Sequence, residues 1–278
     1  MARIVFFGTP KHVVCVPEEL KKAGHEIVAV VTQPPKPVGR KQIITPSPVA
    51  SWAKVYNIKI FDGNPREIIN DLKTLKADIG VLEAYGRILP QELVDHTFTY
   101  GIINVHPSLL PKYRGSSPIQ AAIFIGDKQT GITVIKLDDQ MDHGPILFQK
   151  KYPINEDDTL ESLQTRLFEE SAKILCKVIP DYLEGKIKLV VQKEDDASYT
   201  WKTQETKQKA YFDISNAPNL EALDRMARAF YPWPGAWTKW QGKVVKFLPN
   251  KMVQIEGKRP VSWKQFKEGY RNFPLELF

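Results

Sequence analysis

Cysteine is scarce: Cys15 and Cys176 are the two in 278 residues, and they form no C-x-x-C pair. That excludes a disulfide framework of the secreted kind. Both sit in helix-like apolar segments, where a buried, reduced thiol is expected rather than a nucleophile. Long apolar runs are lacking too. No stretch approaches the ~18–20 residues that span a bilayer. The run Ile4-Val5-Phe6-Phe7 meets Gly8-Thr9-Pro10, which is a strand and not a signal-peptide core. A cytoplasmic protein away from membranes is expected. Glycine is sparse where dinucleotide and P-loop sites require it. One glycine and a proline follow the first strand, against the G-x-G-x-x-G that lets a backbone approach a pyrophosphate. No internal repeat and no low-complexity tract occurs.

Metal-binding patterns are missing as well. A calcium loop starting at Asp138 would place His143 at its glycine position and Gln149 at its closing glutamate. His96, His106 and His143 lack the H-E-x-x-H or Cys/His spacing of zinc sites. No metal is expected.

What remains is an ordinary globular composition, 42% hydrophobic and 26% charged, of a length for one or two domains. A chain this size buries roughly 75% of its unfolded surface and needs no covalent staples. Its net charge of +7 is uneven. Residues 203–278 hold 13 Lys and Arg against 7 Asp and Glu, whereas the rest holds 26 against 25. Such an excess suits a polyanionic partner, although a solvated lysine surface would look the same.

Short apolar or β-branched runs at 4–7, 27–32, 58–61, 79–82 and 102–105 read as strands buried on both faces. Helical patterns at 12–22, 47–56 and 66–75 alternate with them. This order predicts an α/β fold with a mostly parallel, Rossmann-like sheet. Later strands at 131–137 and 145–152 bracket an acidic turn, and a long amphipathic helix covers 160–183, with Pro180 expected to kink or interrupt its last turn. Residues 191–205 are polar and aperiodic, a linker. The expected division is a first domain over 1–190, the linker, and a small, reduced β-rich domain over 206–278. That last part should hold a helix at 219–230 and two or three strands near 236–240, 243–248 and 252–255.

Asn104-Val105-His106-Pro107 carries the strongest chemical signal. Residues i and i+2 of a strand share a face, so Asn104 and His106 point together into the crevice beyond the carboxyl ends of the strands. A lone histidine is more often structural; an Asn-x-His pair leaving a buried strand is a candidate site. Asp142, on the tight turn after the next strand, adds a carboxylate. An amide, an imidazole and a carboxylate, without a Ser or Cys nucleophile, suit direct acyl transfer between two bound substrates. One donor would steady the developing oxyanion and a base would serve the attacking amine.

At these residues the sequence resembles the folate-dependent formyltransferase family. The likeness rests on Asn104-x-His106, on Ser108-Leu109-Leu110-Pro111-x-x-Arg114-Gly115-x-x-Pro118-Ile119-Gln120, and on Asp142. Three further stretches, at 31–49, 229–237 and 256–263, are similar to the members that act on tRNA. The likeness runs from residue 3 to about 271, with the C-terminal part shortened. Departures are His12 and Cys15 in the first strand-to-helix turn, Pro145 after Asp142-His143-Gly144, and Glu83 just before Ala84-Tyr85-Gly86.

The resemblance implies 10-formyltetrahydrofolate as donor, no metal, and an initiator Met-tRNA as acceptor for translation initiation. It implies that Asn104 and His106 hold the formyl oxygen and that Asp142 positions His106 and assists proton removal. It places the pterin near Arg87, Ile88 and Leu89 and near Asp138, Asp139, Gln140 and Met141, with contacts from Ser108, Leu109, Leu110 and Pro111. Arg40 and Lys41, in a loop read as a mobile surface segment, and Lys239, Lys243 and Lys246 would meet tRNA. The expected form is a monomer. Two alternatives stay open here: formylation of a small amine such as an amino sugar, and an RNA-binding protein that keeps the fold without catalysis.

Overall fold

The structure, a computed structural model, describes residues 1–39 and 41–275. Nine strands and six helices run in order through the first 183 residues: β1 (Arg3–Phe7), α1 (Cys15–Lys22), β2 (Glu26–Val31), β3 (Lys36–Val38), β4 (Ile43–Thr45), α2 (Pro48–Val55), β5 (Lys59–Phe61), α3 (Ile69–Thr74), β6 (Ile79–Leu82), α4 (Gln91–His96), β7 (Ile102–His106), α5 (Pro118–Ile125), β8 (Gln129–Lys136), β9 (Ile146–Pro153) and α6 (Leu160–Leu183). Seven of the strands make one sheet, in the order β5-β2-β1-β6-β7-β8-β9. The pairs among β5, β2, β1, β6 and β7 are parallel, and β8 is antiparallel to β7.

Local chemistry explains these elements. The interior strands β1, β2 and β6 are mostly apolar, and β1 buries every residue after Arg3, as a sheet covered on both faces favours. Ser47 caps α2 by accepting from the Ala50 amide, with Pro48 in the first turn, where a missing N–H costs nothing. Val5, Phe7, Ala29, Val31, Leu72 and Ile102 meet in a core on one side of the sheet. Each such large side chain contributes about 1.5–3 kcal/mol by leaving water.

Three features differ from expectation. Residues 36–38 and 43–45, on either side of the tip of a loop read as a mobile surface segment, form a two-stranded ribbon in which β3 and β4 pair antiparallel with every strand residue exposed. Exposed apolar residues and prolines hid the pairing. Pro180 does not interrupt α6, which is one helix through Leu183. In the final turn a proline forfeits one bond at most, and its neighbours Val178 and Ile179 remain buried. Helices α4 and α5 had no sequence counterpart.

The chain continues through α7 (Thr206–Lys209), α8 (Leu220–Ala229), β10 (Ala236–Trp240), β11 (Lys243–Leu248), β12 (Met252–Ile255), β13 (Val261–Ser262) and α9 (Trp263–Gly269). The last four strands form an antiparallel sheet in sequence order. This is one strand more than expected. Two residues are too few to show a period, and β13 is recruited by pairing with Met252 and Val253 and by the Trp263 amide donating to the Lys251 carbonyl at 2.8 Å. Asn219 caps α8, and a reciprocal Ser262–Gln265 capping box starts α9.

The compact units are not contiguous in sequence. One contains residues 1–112, 131–150 and 165–197; the other contains 113–130, 151–164 and the chain from 198 on. Within the second, α5 and α8 pack together around Phe124, Trp201 and Phe230. Among the described residues no helix is long and apolar enough to cross a membrane.

Candidate active site

Strand β7 ends in Asn104-Val105-His106, and all three residues are buried. Asn104 Nδ2 donates to Asp142 Oδ1 at 3.2 Å, and His106 Nδ1 lies 3.6 Å from Asp142 Oδ2. One carboxylate therefore reaches both strand residues, an amide through a hydrogen bond and an imidazole at ion-pair range. The i, i+2 spacing makes this possible by placing both side chains on one face.

Asp142 arrives by a route the sequence did not show. Because β8 runs antiparallel to β7, with Lys136 opposite Ile103, the chain leaves β8 beside the first half of β7. The Leu137 amide donates to the Ile102 carbonyl at 2.8 Å. The turn then doubles back, so the carboxylate comes to β7 from its flank and not from loops beyond the strand ends. Asp142 itself has φ +53°, a left-handed conformation that short polar residues tolerate best.

Two residues hold this turn. A Cβ on Gly144 would fall 1.8 Å from the Lys136 carbonyl oxygen, so only glycine fits. Gln192, buried, donates from Nε2 to the Asp142 carbonyl at 2.8 Å and to the Gly144 carbonyl at 2.9 Å. Sequence reasoning assigned Gln192 to a polar linker; no local signal marks a side chain whose partners lie some fifty residues away.

The segment after His106 is similarly pinned. Thr133 Oγ1 donates to the Ser108 carbonyl at 2.6 Å and accepts from the Leu110 amide at 3.2 Å. Gln149 Nε2 donates to the Leu110 carbonyl at 2.9 Å. The Ser108 hydroxyl donates to the Lys112 carbonyl at 2.6 Å, and Leu109 packs over Gly131, where a Cβ would collide with it. The turn after β6 carries Ile88, 95% exposed, while Arg87 Nη1 donates to the Gly63 carbonyl at 3.0 Å and Leu89 packs on the core. In the turn after β8, Met141 is exposed, as are Asp139 and Gln140. Asp138 caps the Gln140 amide at 3.0 Å and holds His143 Nδ1 at 2.6 Å.

The remaining site expectations fall elsewhere. Arg40 lies outside the described residues; Lys41 is exposed at the turn between β3 and β4. Lys239 and Lys243 are exposed and Lys246 is half-buried, all on β10 and β11. Arg114, quoted only as part of a motif, is fully buried, with Nη1 donating to the Tyr199 hydroxyl at 3.0 Å.

The sheet order reverses between β1 and β6, the usual ligand position in such folds. There the Thr9 hydroxyl and Gln33 Nε2 both donate to the Tyr85 carbonyl at 2.9 Å. Glu83 follows β6 and is fully buried. Burial drives its carboxyl well above the ordinary range despite the Ser171 hydroxyl donating to Oε1 at 2.7 Å, and Oε2 has no hydrogen-bond partner. Burial thus favours the protonated form of Glu83. Burial also holds His12, stacked on Phe168, down to about 4, and pushes the Cys15 thiol up to about 12, with the nearby Glu83 and Glu169 acting in the same direction. Burial is the largest of these causes for the thiol. These departures from the family pattern are packed together, in contacts that include the His12–Phe168 stack.

Comparison with known proteins fits this geometry. The formyl transferase family model matches residues 2–179, and that of the formyl transferase C-terminal domain matches residues 207–260. The chain belongs to the formyl transferase family. It is 40% identical over 249 residues to the methionyl-tRNA formyltransferase of Halalkalibacterium halodurans, covering 88% of this chain and 76% of that one. Among solved structures the fold is shared with HypX from Aquifex aeolicus in complex with tetrahydrofolic acid (TM-score 0.65, 18% identity, 89% of this chain and 37% of that one). It is shared too with a Shewanella sugar N-formyltransferase (TM-score 0.69, 18% identity, 89% and 97%). Within the family, the expected mostly parallel α/β sheet followed by a small β-rich C-terminal part is what the chain has.

Proposed function

We propose that this formyl transferase moves a formyl group from 10-formyltetrahydrofolate to the amino group of methionine on an initiator Met-tRNA, in the cytoplasm, for translation initiation. The observation that carries the chemistry is the single carboxylate of Asp142 shared by Asn104 and His106. The relative at 40% identity supports the acceptor. The sugar enzyme's backbone is similar, yet at 18% identity that likeness speaks for the fold alone.

The donor's folate supplies an activated formyl carbon. The exposed apolar side chains of Ile88 and Met141 suit the flat ring of a pterin, and main-chain groups of residues 87–89 and 138–141 suit its amide-like edge. Ser108, Leu109, Leu110 and Pro111 would form the adjoining wall. Asn104 has two amide hydrogens and gives one to Asp142; the second is available to the formyl oxygen as negative charge gathers on it. His106 donates to the same oxygen, its ring oriented by Asp142. The carboxylate of Asp142 takes up the proton that the attacking amine loses as its nitrogen bonds the formyl carbon; the bond from that carbon to N10 of the folate then breaks, and N10 leaves in tetrahydrofolate carrying that proton. Loss of one oxyanion donor costs about 10²–10³ in rate, and a general base about 10²–10⁴.

We assign the catalytic work to residues 1–190, with 191–205 as connection, and RNA contacts to Arg40, Lys41, Lys239, Lys243 and Lys246. The test is transfer of labelled formyl from 10-formyltetrahydrofolate, with Met-tRNA and a nucleotide-linked amino sugar offered in parallel. Label on Met-tRNA alone is expected; label on the sugar instead would replace this reading.

A further inference from the structure

The segment 210–212 pairs with the outer edge of β10: the Trp237 amide donates to the Ala210 carbonyl at 2.8 Å and the Phe212 amide to the Trp237 carbonyl at 3.1 Å. This places the rings of Tyr211 and Trp237 side by side, with centroids 4.8 Å apart and planes tilted by 53°. Tyr211 is 42% exposed, too much for a core tyrosine. Beside them lies a hollow of about 470 Å³, lined by Gln204, Lys207, Gln208, Tyr211, Trp237 and Lys239. The size falls within the ~300–1,000 Å³ of small-molecule sites.

The lining has one consistent chemistry. Two aromatic faces accept a flat ring. Lys207 Nζ sits 6.0 Å from the Trp237 ring centroid and Lys239 stands at the rim, and none of the six lining residues is acidic. Gln204 and Gln208 carry amides that both donate and accept. Across the strand pair, Lys246 stands opposite Trp237 and continues the positive face. Aromatic platforms edged with lysine are what single-stranded nucleic acids require, bases stacking while ammonium groups track the phosphates. A paired helix buries its base faces and could use the lysines alone.

We propose that this hollow binds an unpaired nucleotide of an RNA strand, its base stacked on Tyr211 and Trp237 and its flanking phosphates held by Lys207 and Lys239. The proposal rests on the RNA substrate proposed above and adds to it a site for single-stranded RNA.

The experiment uses the full chain and fluorescence anisotropy, with a labelled single-stranded RNA hexamer and a blunt RNA duplex as probes at one fixed salt concentration. Tyr211→Ala and Trp237→Ala should each weaken the hexamer about 5- to 150-fold, the value of one stacked base, and change duplex binding less than about 2-fold. Trp237→Phe, which keeps an aromatic face, should restore most hexamer affinity; this guards against a fold defect in Trp237→Ala, whose indole N–H also bonds the Lys207 carbonyl. Unchanged hexamer binding in both alanine variants would overturn the proposal, and so would equal losses for hexamer and duplex. Formyl transfer to Met-tRNA, measured on the same preparations, separates the two readings. Hexamer binding that depends on the rings without any Met-tRNA formylation sinks the substrate assignment alone. Normal formylation with indifferent rings sinks the stacking site alone.

Discussion

The polar groups to which the proposed function assigns roles are held in two opposite ways. Asn104, His106 and Asp142 are buried or nearly so, touch one another, and are held by further bonds from Gln192 and by the forced glycine at 144. Lys207, Lys239 and Lys243 lie open to water on a twisted edge of sheet and helix. The difference suits the tasks proposed for them. Stabilising charge on one oxygen requires donors fixed in place and little competing water. Gripping a polyanion requires exposed cations whose gain comes from releasing counterions, and tolerates mobile side chains.

The sharpest break in that comparison is Asp142→Ala. We expect kcat to fall about 10²–10⁴-fold, with KM for Met-tRNA nearly unchanged, in steady-state formylation assays. A comparable change in KM with kcat intact would move Asp142 from the chemistry to binding.

A smaller effect, of the opposite kind, is expected at the lysines. Lys239→Ala and Lys246→Ala should leave kcat at saturating tRNA alone and weaken Met-tRNA binding. Each should lower the slope of log affinity against log salt by about 0.7–0.9, the value of one phosphate contact. An unaltered slope would make these residues mere solvated surface.

The smallest effect tests the buried carboxyl of Glu83. Glu83 has a folded pKa raised above its ordinary value of 4.5. Its protonated form therefore contributes stability that is fully present below that ordinary value and is lost as pH rises through the raised one. Glu83→Gln keeps the shape and the bond from Ser171 but cannot ionise. It should match the parent near pH 4 and exceed it increasingly as pH rises from the ordinary value to the raised one, by at most about 1.4 kcal/mol per pH unit. Urea unfolding at several pH values reads this directly, and parallel curves for the two proteins would mean that Glu83 is ionised in the fold.

Much of this was legible in the chain. The buried strands announce themselves because a sheet covered on both faces holds mostly apolar residues, and Ile79–Leu82 is such a run. Asn104 and His106 share a face through the two-residue repeat of a strand, a purely local fact. The ribbon of β3 and β4 was not legible, since its residues are exposed and no buried face imposes a pattern. Nor was β13, whose two residues pair only because Met252 and Val253 are already in a strand.

What the sequence determined by itself, then, is the order of elements, the apolar runs that become the parallel sheet, and the pairing of Asn104 with His106 on one strand face. Each depends on bonds and periods that span a few residues. The tertiary structure decided that Asp142 reaches that face from the flank of β7, that Gln192 secures it, and that Tyr211 and Trp237 stand together. These depend on which distant segments pair and in what register. That choice is made by burial and backbone hydrogen bonding summed over the whole fold, a sum no short stretch of residues contains.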